Sequence, residues 1–210
     1  MLPLVLASAS PARLTTLRSA GVEPEVLVSG VDEEAVLAQV QEQHGPLDAT
    51  DVALTLARVK CEDVVTRHDP AALVLGCDSV LELEGQLHGK PGTSQVAIER
   101  WQLMRGRSGT LHTGHWLVDN RNEEDGGTGA TLGACSSTVV HFADLSDAEI
   151  AAYVATGEPM QVAGAFTVDG LGGPYVTGIE GDHHGVVGLS LPLLRELLGQ
   201  LDVDWHDLRD

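Results

Sequence analysis

The feature that most limits the fold is the opening of the chain. A short apolar run, Leu2 to Ala7, reads as a buried strand, and Ser8-Ala9-Ser10-Pro11 follows it at once. Helical spacing then begins at Leu14, Leu17 and Ala20. Pro11 has no backbone N–H and its φ is held near the helical value, so it suits a first helical turn. Ser10 is then the N-cap. Such a turn can also aim unpaired N–H groups, the hydroxyls of Ser8 and Ser10, and Arg13 at one anion. Capping alone accounts for Ser10 equally well.

The rest of the chain continues the alternation of strands and helices. Gly21 to Pro24 breaks the first helix, and Val26 to Val28 reads as a strand. Residues 45–50 form a loop, and Thr50 or Asp51 is placed to cap a helix that contains Lys60. Leu73 to Leu83 begins as a buried strand and ends in alternation, with a turn at Glu84-Gly85. A helix from Ser94 to Met104 is ended by Gly106 and Gly109, and a strand follows over Leu111 to Val118. Residues 121–133 read as a mobile hairpin loop, and Ser137 to Phe142 as its returning strand. Ser146 and Glu149 have capping-box spacing. Beyond Gly157 short apolar pieces alternate with glycines, and a last helix runs from Leu191 to Leu201. Strands and helices without a clean βαβ series predict an α/β fold with a mixed sheet.

Charge excludes some partners. The chain has 210 residues, 12 Lys and Arg against 31 Asp and Glu, and a net charge of −19. Nucleic-acid binding depends on neutralising phosphates with Lys and Arg, so no nucleic-acid partner is expected. An anionic membrane is excluded on the same ground. A small phosphorylated ligand is not, because a few cations or a metal can dominate one cleft. Aromatic residues are 3%, which predicts a core of Val, Leu, Ile and Ala. Three scattered cysteines with no CxxC give neither a disulfide framework nor a zinc site, and a reducing cytoplasm is the expected compartment. No signal peptide or membrane span is read from the sequence.

Several residues have the chemistry of a polyphosphate site. Asp78 follows a buried strand, where α/β folds place reacting groups, although Asp is also a common turn former. Lys90 is held between Gly89 and Pro91, and Lys60 lies on a helix. Asp32 and Glu33 offer hard oxygens to a divalent ion, or form a solvated face. His183 and His184 are adjacent and lack the helical spacing of a metal pair.

The order of short motifs goes further than any of these alone. Leu-Ala-Ser-Ala-Ser-Pro-Ala-Arg (6–13), Val-Asp-Glu (31–33), Leu-Ala-Arg-Val-Lys (56–60), Leu-Gly-Cys-Asp-Ser-Val (75–80), Gly-Lys-Pro (89–91) and His-Thr-Gly (112–114) come first. Tyr-Val-Ala-Thr-Gly-Glu-Pro (153–159), Ala-Gly-Ala-Phe (163–166), Asp-Gly-Leu-Gly-Gly (169–173), Ile-Glu-Gly (179–181) and Val-Val-Gly-Leu-Ser-Leu (186–191) complete the series. In content and order it resembles the Maf, or septum-formation, family of nucleoside triphosphate pyrophosphatases across nearly the whole chain.

The resemblance implies one domain over residues 1–210, with an elongated mixed α/β sheet similar to inosine triphosphatases and two lobes around a central cleft. It implies a homodimer that hydrolyses a nucleoside triphosphate between the α- and β-phosphates in a house-cleaning role, with Mg²⁺ or Mn²⁺. By position, Asp78 matches the general base, and Ser8, Ser10 and Arg13 match the phosphate-binding turn. Lys60 and Lys90 match lysines near the triphosphate, and Glu33, with Asp78, the metal side. Base choice is implied to lie with Ala12, Ser79 and Asp169. Ala12 stands where many members have arginine, Val162 where lysine is frequent, and Asp78-Ser79 with Asp169-Gly170 fits neither of two known specificity patterns. These departures point to a modified or non-standard nucleotide. They also keep a second reading in view: a nucleotide-binding regulator of division or septation with little turnover.

Overall fold

The computed structural model describes residues 1–209. One sheet contains β1 (Leu4–Leu6), β2 (Glu25–Val26), β3 (Leu73–Leu83), β4 (Gln86–His88), β5 (Ser108–Asp119), β6 (Thr131–Phe142) and β7 (Val176–Glu180). Its order is β2-β1-β3-β5-β6-β7, with β4 also paired to β3. β1 is parallel to β2 and β3, and the remaining pairs are antiparallel. The sheet is mixed, as the sequence predicts. The helices are α1 (Pro11–Ser19), α2 (Glu33–His44), α3 (Ala49–His68), α4 (Ser94–Met104), α5 (Asp147–Ala155), α6 (His183–Val187) and α7 (Leu191–Gly199).

β3 defines the two lobes and the gap between them. β5 covers one of its edges from Leu73 to Glu82. The other edge carries β1 at Leu73 to Leu75 and β4 at Leu81 to Leu83. Residues 76–80 have no strand on that side, so the sheet has a cleft there. Separate cores lie on either side of it. Leu73, Leu75 and Leu117 pack with Leu194, Leu197 and Leu198 of α7 in the first lobe. In the second, Leu81, Leu111, Val140 and Phe142 pack with Trp101, Ile150 and Tyr153 of α4 and α5.

The second core overturns the expectation of a purely aliphatic interior. Trp101 meets Phe142, Tyr153 and Tyr175 edge-on, with centroids 5.8, 5.6 and 5.9 Å away. Phe166 stands edge-on to Phe142 at 5.0 Å. Both Phe and both Tyr of the chain are thus spent in one place. Edge-to-face pairs add about 0.5–1.5 kcal/mol each beyond burial.

α3 lies directly on the sheet because two glycines let it. A Cβ at Gly76 would stand 2.2 Å from the Ala57 carbonyl oxygen, and one at Gly114 2.4 Å from that of Ala53. Gly76 precedes Asp78 by two residues and Gly114 is its cross-strand partner, so both share its face of the sheet. This close approach is what brings α3 to Asp78.

Local details differ from the sequence reading where side chains compete for caps. Asp48, not Thr50 or Asp51, caps α3 by accepting from Asp51 N. Asp32 caps α2 by accepting from Ala35 N at 3.0 Å. α2 itself escaped the sequence pattern because none of its residues is buried. Gly109 lies inside β5 rather than ending a helix, and β6 begins at Thr131 rather than Ser137. The segment between β5 and β6 is anchored, not slack: Asp119 accepts from Arg121 Nε (2.8 Å), Thr128 N (2.9 Å) and Thr128 Oγ1 (2.9 Å). The Ser146–Glu149 capping box is formed.

Candidate active site

Most of the candidate side chains meet at the open stretch of β3. Asp78 is 8% exposed and directed at α3, where Lys60 Nζ lies 2.5 Å from Asp78 Oδ1 and 2.7 Å from Glu33 Oε1. One ammonium therefore stands between two carboxylates carried by three separate elements. Burial pushes the Asp78 carboxyl above its ordinary range, while the charges of Lys60 and Arg13 pull it back. These cations keep an otherwise costly buried carboxylate tenable.

The opening turn closes over the same stretch. Ser10 caps α1 by accepting from Arg13 N at 3.4 Å, and Ser8 Oγ accepts from Ser10 N at 3.2 Å. Arg13 donates from Nη1 to Ser8 Oγ (3.1 Å) and the Cys77 carbonyl (2.8 Å), from Nε to the Gly188 carbonyl (2.7 Å) and from Nη2 to Ser79 Oγ (3.2 Å). A guanidinium has five N–H donors, so Arg13 has one left for a ligand. It acts as a buckle that seats α1, the β3 edge and the end of α6, and satisfies a carbonyl where the sheet has no partner strand.

Ser79 continues this chain of bonds across the sheet. Its Oγ lies 2.9 Å from Thr113 Oγ1, which donates to the Gly185 carbonyl at 2.8 Å. Arg13 can only donate and a carbonyl can only accept, so every proton direction is fixed. Ser79 receives from Arg13, gives its hydrogen to Thr113, and retains one lone pair. Two residues on, His115 is fully buried: its Nδ1 donates to the Thr113 carbonyl (3.0 Å) and its Nε2 accepts from Ser190 N (2.8 Å).

Two candidates stand outside this network. Lys90 is exposed on the loop after β4 and makes no bond to the others. Asp169 is exposed beside Thr15, Thr16 and Ser19 of α1 and His183 and His184, with no hydrogen bond to the Lys60–Asp78 pair. Its loop is held by Glu158, which accepts from Thr167 Oγ1 (2.5 Å), Tyr153 Oη (2.9 Å), Leu171 N (2.9 Å) and Gly172 N (3.1 Å). Ala12 is half-buried in the first turn of α1 and presents only a methyl group. His183 and His184 open α6, where Asp182 caps the helix. Thr113, Glu158 and the two glycines bracketing Asp78 lie in or beside the sequence motifs, but their roles depend on pairings that sequence does not display. Cys77 fills the first-lobe core, and burial pushes its thiol up to about 12.

One buried carboxylate and one half-exposed carboxylate around an ammonium, beside a hydroxyl-lined turn at the open edge of a mixed sheet, define a cleft whose chemistry suits a phosphate-bearing ligand. Residues 3–201 match the family model described as Maf-like protein, and the chain belongs to that family. It is 58% identical over 206 residues to a protein of Salinispora tropica named nucleoside triphosphate pyrophosphatase, covering 96% of this chain and 85% of that one. A Streptomyces coelicolor protein of the same name is 55% identical, covering 94% and 90%. A Rhodococcus opacus protein, again of that name, is 53% identical, covering 99% and 96%. The solved structure of a dITP/XTP pyrophosphatase from Mycobacterium abscessus aligns with a TM-score of 0.40 at 13% identity over 96% of each chain, too distant to carry an argument. Among the described residues no helix is long and apolar enough to cross a membrane.

Proposed function

We propose that this chain hydrolyses the α–β phosphoanhydride bond of nucleoside triphosphates, releasing nucleoside monophosphate and pyrophosphate. The observation that carries the reading is the convergence on one cleft of motifs far apart in sequence: Ser8, Ser10 and Arg13, Glu33, Lys60, and Asp78. The names of the close relatives support it.

Water attacks phosphorus, the bridging P–O bond breaks, and the attacking water gives up a proton. Asp78 is the acceptor of that proton: Lys60 and Arg13 favour its ionised form, and its burial keeps it basic enough to act. Lys60 and the last free N–H of Arg13 stabilise charge that builds on the phosphoryl oxygens. Ser8, Ser10 and the first turn of α1 receive phosphate oxygens, and Lys90 reaches the triphosphate from the opposite wall. Glu33 and Asp78 are a fitting donor set for Mg²⁺ or Mn²⁺, since Mg²⁺ is characteristically held by one or two carboxylates plus substrate phosphates. Bound there, the ion supplies charge neutralisation and polarises the phosphoryl group.

Base choice is assigned to Ala12, Ser79 and Asp169. Ser79 offers only a lone pair and a carboxylate only accepts, so a base edge with N–H donors, standard or modified, suits them. A homodimer, acting in the cytoplasm to remove unwanted nucleotides, completes the reading.

The test is a panel of standard and modified nucleoside triphosphates with Mg²⁺ or Mn²⁺, resolving monophosphate plus pyrophosphate from diphosphate plus phosphate. Monophosphate and pyrophosphate are expected, with turnover falling about 10²–10⁴-fold in Asp78→Asn and nucleotide binding retained. Diphosphate as the product would refute the cleavage position. Binding without turnover of any member would refute the enzyme and favour a regulator.

A further inference from the structure

Among the described residues, Arg100 is a buried side chain whose charge no carboxylate answers. It lies on α4 in the second lobe and is 8% exposed. Its Nη1 donates to the Gly89 carbonyl at 2.5 Å. Its Nε is buried with no hydrogen-bond partner, and among the described residues no carboxylate pairs with the guanidinium. Burial lowers its pKa, with no acidic neighbour to offset the effect. Lysine in such a place can shed its proton, but arginine stays charged. A buried charge of this kind is strongly unfavourable until an anion meets it. In a chain with 31 acidic residues, a buried guanidinium that none of the described carboxylates answers is left available to an anionic ligand.

The position fits the cleft. Gly89 and Lys90 leave β4 toward the open stretch of β3. β4 ends at His88 opposite Leu81, and Gly89 and Lys90 follow it where β3 begins its open stretch. Gly89 is held from two directions, by Arg100 and by Gly164 N at 3.2 Å. Arg100 thus holds the Lys90 loop at its Gly89 carbonyl, in the lobe that carries β4, whereas the Ser8–Arg13 turn follows β1 on the other side of the open stretch. Its Nε/Nη2 edge, the fork that meets two oxygens of one phosphate, carries no bond.

We propose that Arg100, with Lys90, forms an oxyanion subsite on the second-lobe wall that receives the β- and γ-phosphates, the part released as pyrophosphate. The inference rests on the triphosphate reading above. It divides the labour of the cleft: the first-lobe wall holds the reacting phosphate, and the second-lobe wall holds the leaving group.

The test is calorimetric titration of the whole chain with pyrophosphate and, separately, with a nucleoside monophosphate product, in the presence of Mg²⁺. Wild type is compared with Arg100→Met and with Arg100→Gln, which keeps a polar amide near the position of Nε and removes the charge. The subsite predicts pyrophosphate affinity at least 10-fold weaker in both variants, with monophosphate affinity unchanged and KM for the triphosphate raised in step. If Arg100→Met fails to fold, Arg100→Gln decides. Unchanged pyrophosphate affinity, or equal loss for both products, overturns the subsite even where hydrolysis is confirmed. Arg100-dependent pyrophosphate binding in a protein that hydrolyses nothing supports the subsite and refutes the proposed activity instead.

Discussion

His115 makes the stability of the cleft depend on pH in a way that can be worked out. Its ring is fully buried, donating from Nδ1 to Thr113 and accepting at Nε2 from Ser190 N–H. A second proton would set a donor against the Ser190 donor in a fully buried site. Burial is the main reason that its pKa falls from 6.5 to about 4; the Thr113 carbonyl opposes the fall and the charge of Arg13 adds to it. The unfolded chain therefore binds a proton at this residue from about pH 6.5 downward, and the folded chain only near pH 4. Stability is complete above pH 6.5 and is lost as pH falls toward 4. Between pH 7 and pH 5 the loss from this residue is about 2 kcal/mol, using 1.36 kcal/mol per pKa unit. Gln offers an amide oxygen to Ser190 N–H and an N–H donor without titrating. Urea midpoints at pH 7, 6 and 5 are therefore expected to fall more steeply for wild type than for His115→Gln, by that amount. The other histidines are common to both proteins and cancel in the comparison. Parallel curves would refute the assignment of the proton to His115.

The remaining predictions concern the frame and the site. Lys60→Met removes the nearest cation from Asp78, so the Asp78 pKa is expected to rise and the acid limb of the kcat/KM profile to move to higher pH; an unmoved limb would detach Asp78 from that profile. Gly76→Ala must displace the backbone of α3, and a loss of at least about 3 kcal/mol is expected in urea denaturation, with activity falling alongside. Asp119→Ala leaves Arg121, whose side chain is 7% exposed, without its partner. A cost of about 3–5 kcal/mol is expected, together with faster hydrogen exchange at Asn122 to Gly129; exchange confined to its wild-type rate would show that the loop is held by something else.

How much of this was legible depended on whether the determining contact was local. Pro11 and Ser10 disclosed the first turn because a cap and its helix lie within four residues. The capping box at Ser146 is readable for the same reason. α2 was illegible because its surface is solvated throughout, so no apolar period marks it. Asp48 was passed over for Thr50 because three candidate caps stand close together, and only the backbone geometry chooses. The candidate residues themselves were legible as chemistry and as family motifs. Their partnership was not: Lys60 and Asp78 are 18 residues apart, and Arg13 and Gly188 are 175 apart. Arg13 shows the cost of that gap. Its sequence context suggests a phosphate ligand, whereas its bonds make it chiefly a buckle. The aromatic core escaped for a related reason, since composition counts rings and cannot see that they gather.

The distribution of cations ties these observations together. Arg18, Arg67, Arg105 and Arg107 each pair with a surface carboxylate, as expected in so acidic a chain. Exposed pairs of that kind contribute only about 0–1 kcal/mol each. Arg13, Lys60, Lys90 and Arg100 are arranged differently. Arg13 bonds only to neutral acceptors, Lys60 is shared between two acids, Lys90 is exposed on the cleft loop, and Arg100 bonds only to a carbonyl. A chain at −19 repels a free triphosphate at long range, so attraction has to be built locally. Keeping Arg13, Lys90 and Arg100 free of the abundant carboxylates, with Lys60 shared between two acids, is an arrangement suited to that. It also predicts the order of effects: charge-removing substitutions at Lys60 and Arg100 alter nucleotide handling, whereas those at Arg18 or Arg107 leave it unchanged.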